Sequence, residues 1–269
     1  MNVYVKRVGN LREDLNALLD HVSWREVIGE GDTVVIKPNF CSFELGEGVT
    51  TNLELIKTLV SLLSDQAGRV IVGETSSNWN DLDQLIGKLD LGCEFVNLSR
   101  LESRVFESPF GPLSLPAILF ESRLVNLPVL KTHVLTKLTL GVKNLFGLLQ
   151  VKDKDRYHGV IHQFLPYLLG IVKPDLNILD ATYSMLGRGG PTSGKVVKTN
   201  LLLASRDAVS LDMAACRFFG LEPNNVRHIK AAAERFGTKP VVMGDVDAWT
   251  NLTGQLSIKD RAAGYFKMG

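Results

Sequence analysis

Apolar residues run along this chain in short, separated blocks, and the spacing inside each block predicts its element. Val34-Val35-Ile36 is a β-branched run ending at Lys37-Pro38-Asn39, the pattern of a buried strand entering a loop. Thr51-Asn52-Leu53-Glu54 reads as a capping box. Leu53, Ile56, Val60 and Leu63 follow at helical spacing, which predicts a helix over roughly 51–66. Arg69-Val70-Ile71-Val72-Gly73 is the next strand and delivers Glu74-Thr75-Ser76-Ser77-Asn78 at its carboxyl end. Strand, helix and strand with tight connections predict a right-handed parallel βαβ unit. A second helix near 81–89 and a short strand near 94–97 extend it.

The middle of the chain is less regular. Residues 101–118 carry Pro109, Gly111, Pro112 and Pro116, which fit loops or edge hairpins better than helix. An apolar strand resumes over 123–130 and ends at Lys131-Thr132-His133, and 138–150 is amphipathic but broken by glycine. Residues 152–158, Lys-Asp-Lys-Asp-Arg-Tyr-His, read as a charged loop. A helix is expected over 161–173, with Pro166 either in its first turn or kinking it. Leu176 to Leu179 is a strand ending at Asp180, the stretch from Thr199 to Ala204 is another, and Asp207 caps a helix that runs to about 219 and closes at Gly220. A last helix covers about 223–236, and 258–267 reads as a surface segment.

Composition narrows the class without naming an activity. The 269 residues hold 30 basic and 29 acidic side chains, a net charge of +1, with 45% hydrophobic residues, so a dedicated nucleic-acid binder and a disordered chain are both excluded. The first seven residues lack the apolar run of a signal peptide, and no apolar stretch is long enough for a membrane helix. Cys41, Cys93 and Cys216 form no short spacing, so they read as small core residues in a reducing, cytoplasmic setting.

Five of the expected strands end in polar clusters: Lys37-Pro38-Asn39, Glu74-Thr75-Ser76, Lys131-Thr132-His133, Asp180 and Ser205-Arg206-Asp207. The carboxyl ends of parallel strands line the crevice where ligands bind, so these clusters are expected to share one cleft. The loop 187–194 has four glycines in eight residues, with Arg188, Thr192 and Ser193 between them. Its backbone can approach an anion closely, and Arg188, flanked by Gly189 and Gly190, can pair with a carboxylate or phosphate. The same loop also fits a flexible hairpin. Neither a P-loop nor a Gly-x-Gly-x-x-Gly turn is present. His133, Lys143, His158 and His162 fall within thirty residues, and a lysine among Leu138, Leu140, Val142, Leu145 and Phe146 is placed for a lowered pKa. His158 fits a solvated loop position as well as a ligand, and His162 fits a structural role better. His21 and His228 carry no functional argument. Asp212 sits inside a helix, where it either faces water or orients a group in the cleft.

Taken in order, Ile36-Lys37-Pro38-Asn39, the block Leu127 to His133, the block Thr139 to Gly147, Asp180-Ala181, Gly189-Gly190-Pro191 and the block Asp207 to Asp212 resemble the domain of unknown function 362 (DUF362) family over about residues 30–235. Many members of that family carry a ferredoxin-like module with iron–sulfur cysteines. This chain has no such motif, so the resemblance implies no iron–sulfur cluster here and, for any redox role, a ferredoxin-type partner. More distantly, the chain is similar to the nickel-pincer lactate racemase family, in which a catalytic His, a Lys anchoring the organometallic cofactor and a His nickel ligand follow in that order. His133, Lys143 and His158 repeat that order, ten and fifteen residues apart. That likeness would make His133 an acid/base, Lys143 a cofactor anchor and His158 a metal ligand, with Arg188 or Lys37 on a substrate carboxylate. The chain departs from that family in having Gly141 alone before the lysine and no full second cap domain.

The expectation is therefore a single α/β domain over 1–269, with a mainly parallel sheet and helices on both faces, either as one body or as two lobes of about 1–100 and 120–240 around one cleft. His133, Lys131 and Lys143 are the candidate catalytic residues. Lys37, Asn39, Glu74, Thr75, Asn144, Asp180, Arg188, Gly189, Gly190 and Thr192 are the candidate binding residues for a small carboxylate or phosphate. Proton transfer is the preferred chemistry, because no nucleophilic Ser or Cys motif accompanies the His and Lys. The alternative is a non-catalytic binding or electron-transfer partner of an iron–sulfur protein.

Overall fold

Val34, Val35 and Ile36 divide the core between two faces, because successive strand side chains point to opposite sides of a sheet. In a computed structural model, which describes residues 1–42, 44–187 and 192–248, they lie in β2. The chain order begins β1 (Asn2–Arg7), α1 (Leu11–His21), β2 (Thr33–Lys37), α2 (Leu53–Ser64), β3 (Arg69–Glu74), α3 (Leu82–Ile86) and β4 (Glu94–Asn97). It continues through β5 (Ser103–Phe106), β6 (Leu113–Pro116), β7 (Arg123–Asn126), β8 (Val129–His133), β9 (Lys137–Thr139), α4 (Gly141–Asn144) and α5 (Ile161–Ile171). It ends with β10 (Leu176–Leu186), β11 (Lys195–Ser205), α6 (Ala208–Phe219), α7 (Arg227–Phe236) and β12 (Val241–Gly244).

One sheet carries the fold, in the order β12-β1-β11-β10-β7-β2-β3-β4, with β8 and β9 branching from β10. Pairing is parallel from β4 through β3, β2 and β7 to β10, and antiparallel where β11 meets β10 and β1. Val34 and Ile36 pack with Leu55, Leu59 and Leu63 of α2 and Leu15, Leu18 and Leu19 of α1 on one face. Val35 packs on the other face with Val142, Phe164, Leu165 and Leu168. Towards the far end of the sheet, Leu201 and Leu203 of β11 meet α6 on that second face, while Leu202 and Ala204 meet the first. The chain is thus an α/β protein with helices on both faces. The two expected lobes share this sheet, since β1 lies between β11 and β12.

Local chemistry explains the element ends. Asn52, one residue beyond the expected Thr51, caps α2 by accepting from the Glu54 backbone N–H at 2.9 Å. Thr51 instead bridges the Asn39 N–H and the Leu127 carbonyl. Asp207 caps α6, and Gly220 and Gly237 close α6 and α7 in the left-handed conformation. Residues 101–118 supply the β5–β6 hairpin. Pro166 lies in the second turn of α5, which continues through it. Two expectations need correction. The strand expected to end at Asp180 runs on to Leu186, so Asp180 is interior. Likewise β11 starts at Lys195, four residues before the expected Thr199, and pairs antiparallel with β10. The sequence pattern does not predict β1 and α1.

His228 of α7 is fully buried, and neither ring nitrogen has a hydrogen-bond partner among the described residues. Its ring stacks on His162 at 6.2 Å. Burial first, then the charges of His162 and Lys143, lowers its pKa to about 3. The folded state therefore keeps His228 neutral, while the unfolded chain takes up a proton below its ordinary value of 6.5. Stability is lost as pH falls from about 6.5 toward about 3. Urea unfolding at pH 7 and pH 5 is expected to show that His228→Leu escapes about 2 kcal/mol of the loss suffered by the parent protein. Equal losses in both proteins would contradict the burial of a neutral ring.

Candidate functional site

Lys37 closes β2, Glu74 closes β3 and His133 closes β8. The three strands run in one direction, directly or through β7 and β10, so their carboxyl ends emerge at the same edge. There they open onto a cavity of about 850 Å³ whose lining includes Lys37, Asn39, Glu74, Thr75, Lys131, His133, Lys143, Asn144, His158 and Thr192. Three of the five strand-end clusters thus meet. The other two stay away for different reasons. β11 runs against its neighbour, and Ser205 pairs with Asn177 at the start of β10, which puts Ser205-Arg206-Asp207 at the opposite edge. Asp180 lies where the β10 register shifts, buried and consumed by the Asn52 N–H at 2.8 Å and by the N–H and hydroxyl of Thr182. Its burial raises its pKa against those donors. Arg188, Gly189 and Gly190 fall outside the described residues, as does segment 258–267.

The polar groups form one connected network. Lys37 Nζ donates to Glu74 Oε2 at 2.7 Å and to the Pro38 carbonyl at 2.8 Å. Burial pushes the Lys37 ammonium down while Glu74 holds it up. Gly147 is required beside this pair: a Cβ there would stand 2.7 Å from both Glu74 Oε1 and Lys37 Nζ. Asn144 accepts from Asn39 Nδ2 at 2.9 Å and donates to Asn126 Oδ1 at 2.9 Å, and Asn126 passes the chain to Asn177 at 3.0 Å. Lys131 Nζ reaches Asn39 Oδ1 and Cys41 Sγ, each at 3.0 Å, and the Val49 carbonyl.

Sequence reasoning missed several of these residues. Cys41, read as core filler, lines the cavity in contact with Lys131. Lys154, read as part of a solvated charged loop, is 8% exposed and donates to Thr75 Oγ1 at 2.6 Å. Its pKa falls to about 8 through burial, with Glu74 opposing. Asn126 stands at the end of β7, where the strand-end rule would have found it.

Two groups face the cavity in unusual states. Lys143 has no hydrogen bond or ion pair among the described residues, and its amine lies 4.7 Å from the centre of the Phe146 ring. Burial, reinforced by the charges of Lys131 and Lys37, lowers its pKa to about 8. His133 Nδ1 accepts the Leu135 backbone N–H at 3.1 Å, which assigns the ring proton to Nε2. Burial, then Lys143 and Lys131, holds this ring neutral with a pKa near 2. A neutral ring in that tautomer offers Nε2–H as a hydrogen-bond donor. His158 packs on Phe146 and lies 3.5 Å from Asp155. No three His, Cys, Asp or Glu side chains converge among the described residues.

Asp212, whose role the sequence left open, accepts from the Gly141 and Val142 N–H groups at 2.7 and 2.9 Å. It thereby starts α4, the turn that carries Lys143 and Asn144. Burial raises its pKa to about 8 against those two donors. Asp212→Ala would orphan both N–H groups and is expected to cost about 1–3 kcal/mol in urea unfolding. A change within experimental error would contradict this anchoring role.

A family model described as "Domain of unknown function (DUF362)" matches residues 34–217. A thylakoid-associated protein of Synechocystis sp. (strain ATCC 27184 / PCC 6803 / Kazusa) is 28% identical over 250 residues, covering 86% of this chain and 77% of that protein. A structural-genomics crystal structure of a Thermotoga maritima protein overlaps 84% of this chain with a TM-score of 0.41 and 11% identity. The chain spans 58% of that protein's length. No helix among the described residues is long and apolar enough to cross a membrane.

Proposed function

The chain belongs to the domain of unknown function 362 family, and within it we propose an enzyme that binds an organic anion in the strand-end cavity and moves a proton at Lys143. The observation that carries this reading is the Lys143 amine, unpaired among the described residues, with a pKa of about 8 in a cavity that also holds Lys37, Lys131 and Lys154. Glu74 neutralises Lys37, which leaves a surplus of positive charge for a carboxylate or phosphate. An amine poised near neutral pH serves as base or acid, and a neutral His133 offers Nε2–H to oxygen charge that develops as a proton leaves the adjacent carbon. Isomerase- or racemase-like chemistry follows from those two roles. Arg188 and the neighbouring glycines are proposed to complete the anion site alongside Thr192. The three free cysteines support a reducing compartment, and we place the protein in the cytoplasm.

The test is a thermal-shift and calorimetric screen of carboxylates and phosphates on the purified protein. A ligand at a hundredfold excess over Kd adds about 2.7 kcal/mol of apparent stability. Its affinity is expected to fall as pH rises through about 8, where Lys143 loses its charge. Lys143→Met is expected to weaken binding by about tenfold or more and to reduce that pH step to the part contributed by Lys154, whose pKa is also lowered to about 8. Deuterium uptake from D₂O at the ligand's acidic carbon, followed by NMR, reports the proton transfer and is expected to vanish in Lys143→Met. Affinity that is unchanged in Lys143→Met and flat across pH 7–9 would contradict the reading.

A further inference from the structure

The mouth of the cavity has a different chemistry from its floor. Trp79 is 65% exposed, Val134 50% and Leu135 39%, yet all three belong to the lining. Trp79 is presented by a firmly held turn. Ser77 Oγ bonds Asn80 Oδ1 at 2.7 Å, the Trp79 N–H donates to Ser77 Oγ at 3.1 Å, and the Asn80 amide reaches the Phe40 carbonyl. The indole therefore stands in solvent on a rigid support. Val134 and Leu135 form the tip of the β8–β9 hairpin, where Lys137 takes the left-handed conformation at φ 65°, a strained choice for a residue with a side chain. That same tip supplies the N–H that fixes His133. Leu45 and Val49 continue the apolar lining inward. The exposed lining also carries Glu44, Asn78, Lys152, Asp155 and Thr192, and among them these three large apolar side chains offer contact surface to the apolar part of a ligand.

Size points the same way. A cavity of about 850 Å³ lies near the upper end of the roughly 300–1,000 Å³ range that houses drug-sized ligands. A three-carbon acid would satisfy the lysines and leave most of the cavity and its apolar rim wet. We propose that the ligand is an amphipathic anion, its carboxylate or phosphate head on the floor lysines and its apolar body against Trp79, Val134 and Leu135. This rests on the anion-binding reading above and deepens it by naming the class of ligand.

The experiment titrates the full chain with acetate, hexanoate, octanoate and decanoate, using decylammonium and 1-octanol as controls for the head. Affinity is expected to climb about three- to fourfold for each methylene that reaches the rim, with octanoate and decanoate far above acetate. Tryptophan emission should shift on decanoate addition, and the shift should disappear in Trp79→Phe. Trp79→Ala and, independently, Leu135→Ser are each expected to shrink the decanoate-to-acetate ratio, whereas Lys143→Met should weaken the whole series alike. Acetate binding as tightly as decanoate would overturn the amphipathic ligand and leave the anion site standing. Decylammonium or 1-octanol binding as well as octanoate would overturn the head-in orientation. Failure of every anion to bind would remove both readings together.

Discussion

The Asn144 carboxamide joins the parts of this protein that must not move relative to one another. It takes a hydrogen bond from Asn39 beyond β2 and gives one to Asn126 at the end of β7, and it rides on α4, whose start is fixed by Asp212 of α6. Buried amides must be satisfied, and here each one satisfies the next. The network reaches Lys131 at one end and Asn177 of β10 at the other. Glu74 pairs with Lys37, Asn39 accepts from Lys131 and Thr75 from Lys154, so three lysines are held at the edge of the cavity largely out of water.

That arrangement produces its chemistry by position. A lysine on a flexible surface segment would be an ordinary ammonium. Lys143 lies half-buried in the cavity wall, where desolvation and the charges of Lys131 and Lys37, opposed by Cys41, lower its pKa to about 8. His133 lies in the same surroundings, where burial and the charges of Lys143 and Lys131 lower its pKa to about 2. The Asp180 carboxylate, equally buried, is spent on Asn52 and Thr182 and contributes to architecture instead.

Much of this was legible in the sequence. β-branched runs ending in Lys-Pro-Asn, Glu-Thr-Ser and Lys-Thr-His placed three strand ends, and parallel pairing brought them together. Asp180 misled because a carboxylate usually ends a strand, whereas here it sits at a register shift with three donors around it. Lys154 misled because a run of charges is usually solvated. Asp212 could not be assigned at all, since its partners Gly141 and Val142 lie about seventy residues earlier and only the fold brings them close. The asparagine network shares that property: each amide is unremarkable alone, and its meaning lies in contacts across the sheet.

The state of Lys143 is what the whole account turns on, and it is directly measurable. Titration of the lysine side-chain signals by NMR, with Lys143 assigned through its methionine variant and set apart from Lys154, whose pKa is also lowered to about 8, should place the Lys143 amine at about 8 in the free protein and move it upward when a carboxylate is bound. A Lys143 signal titrating at its ordinary value of 10.5, and indifferent to added anions, would contradict it.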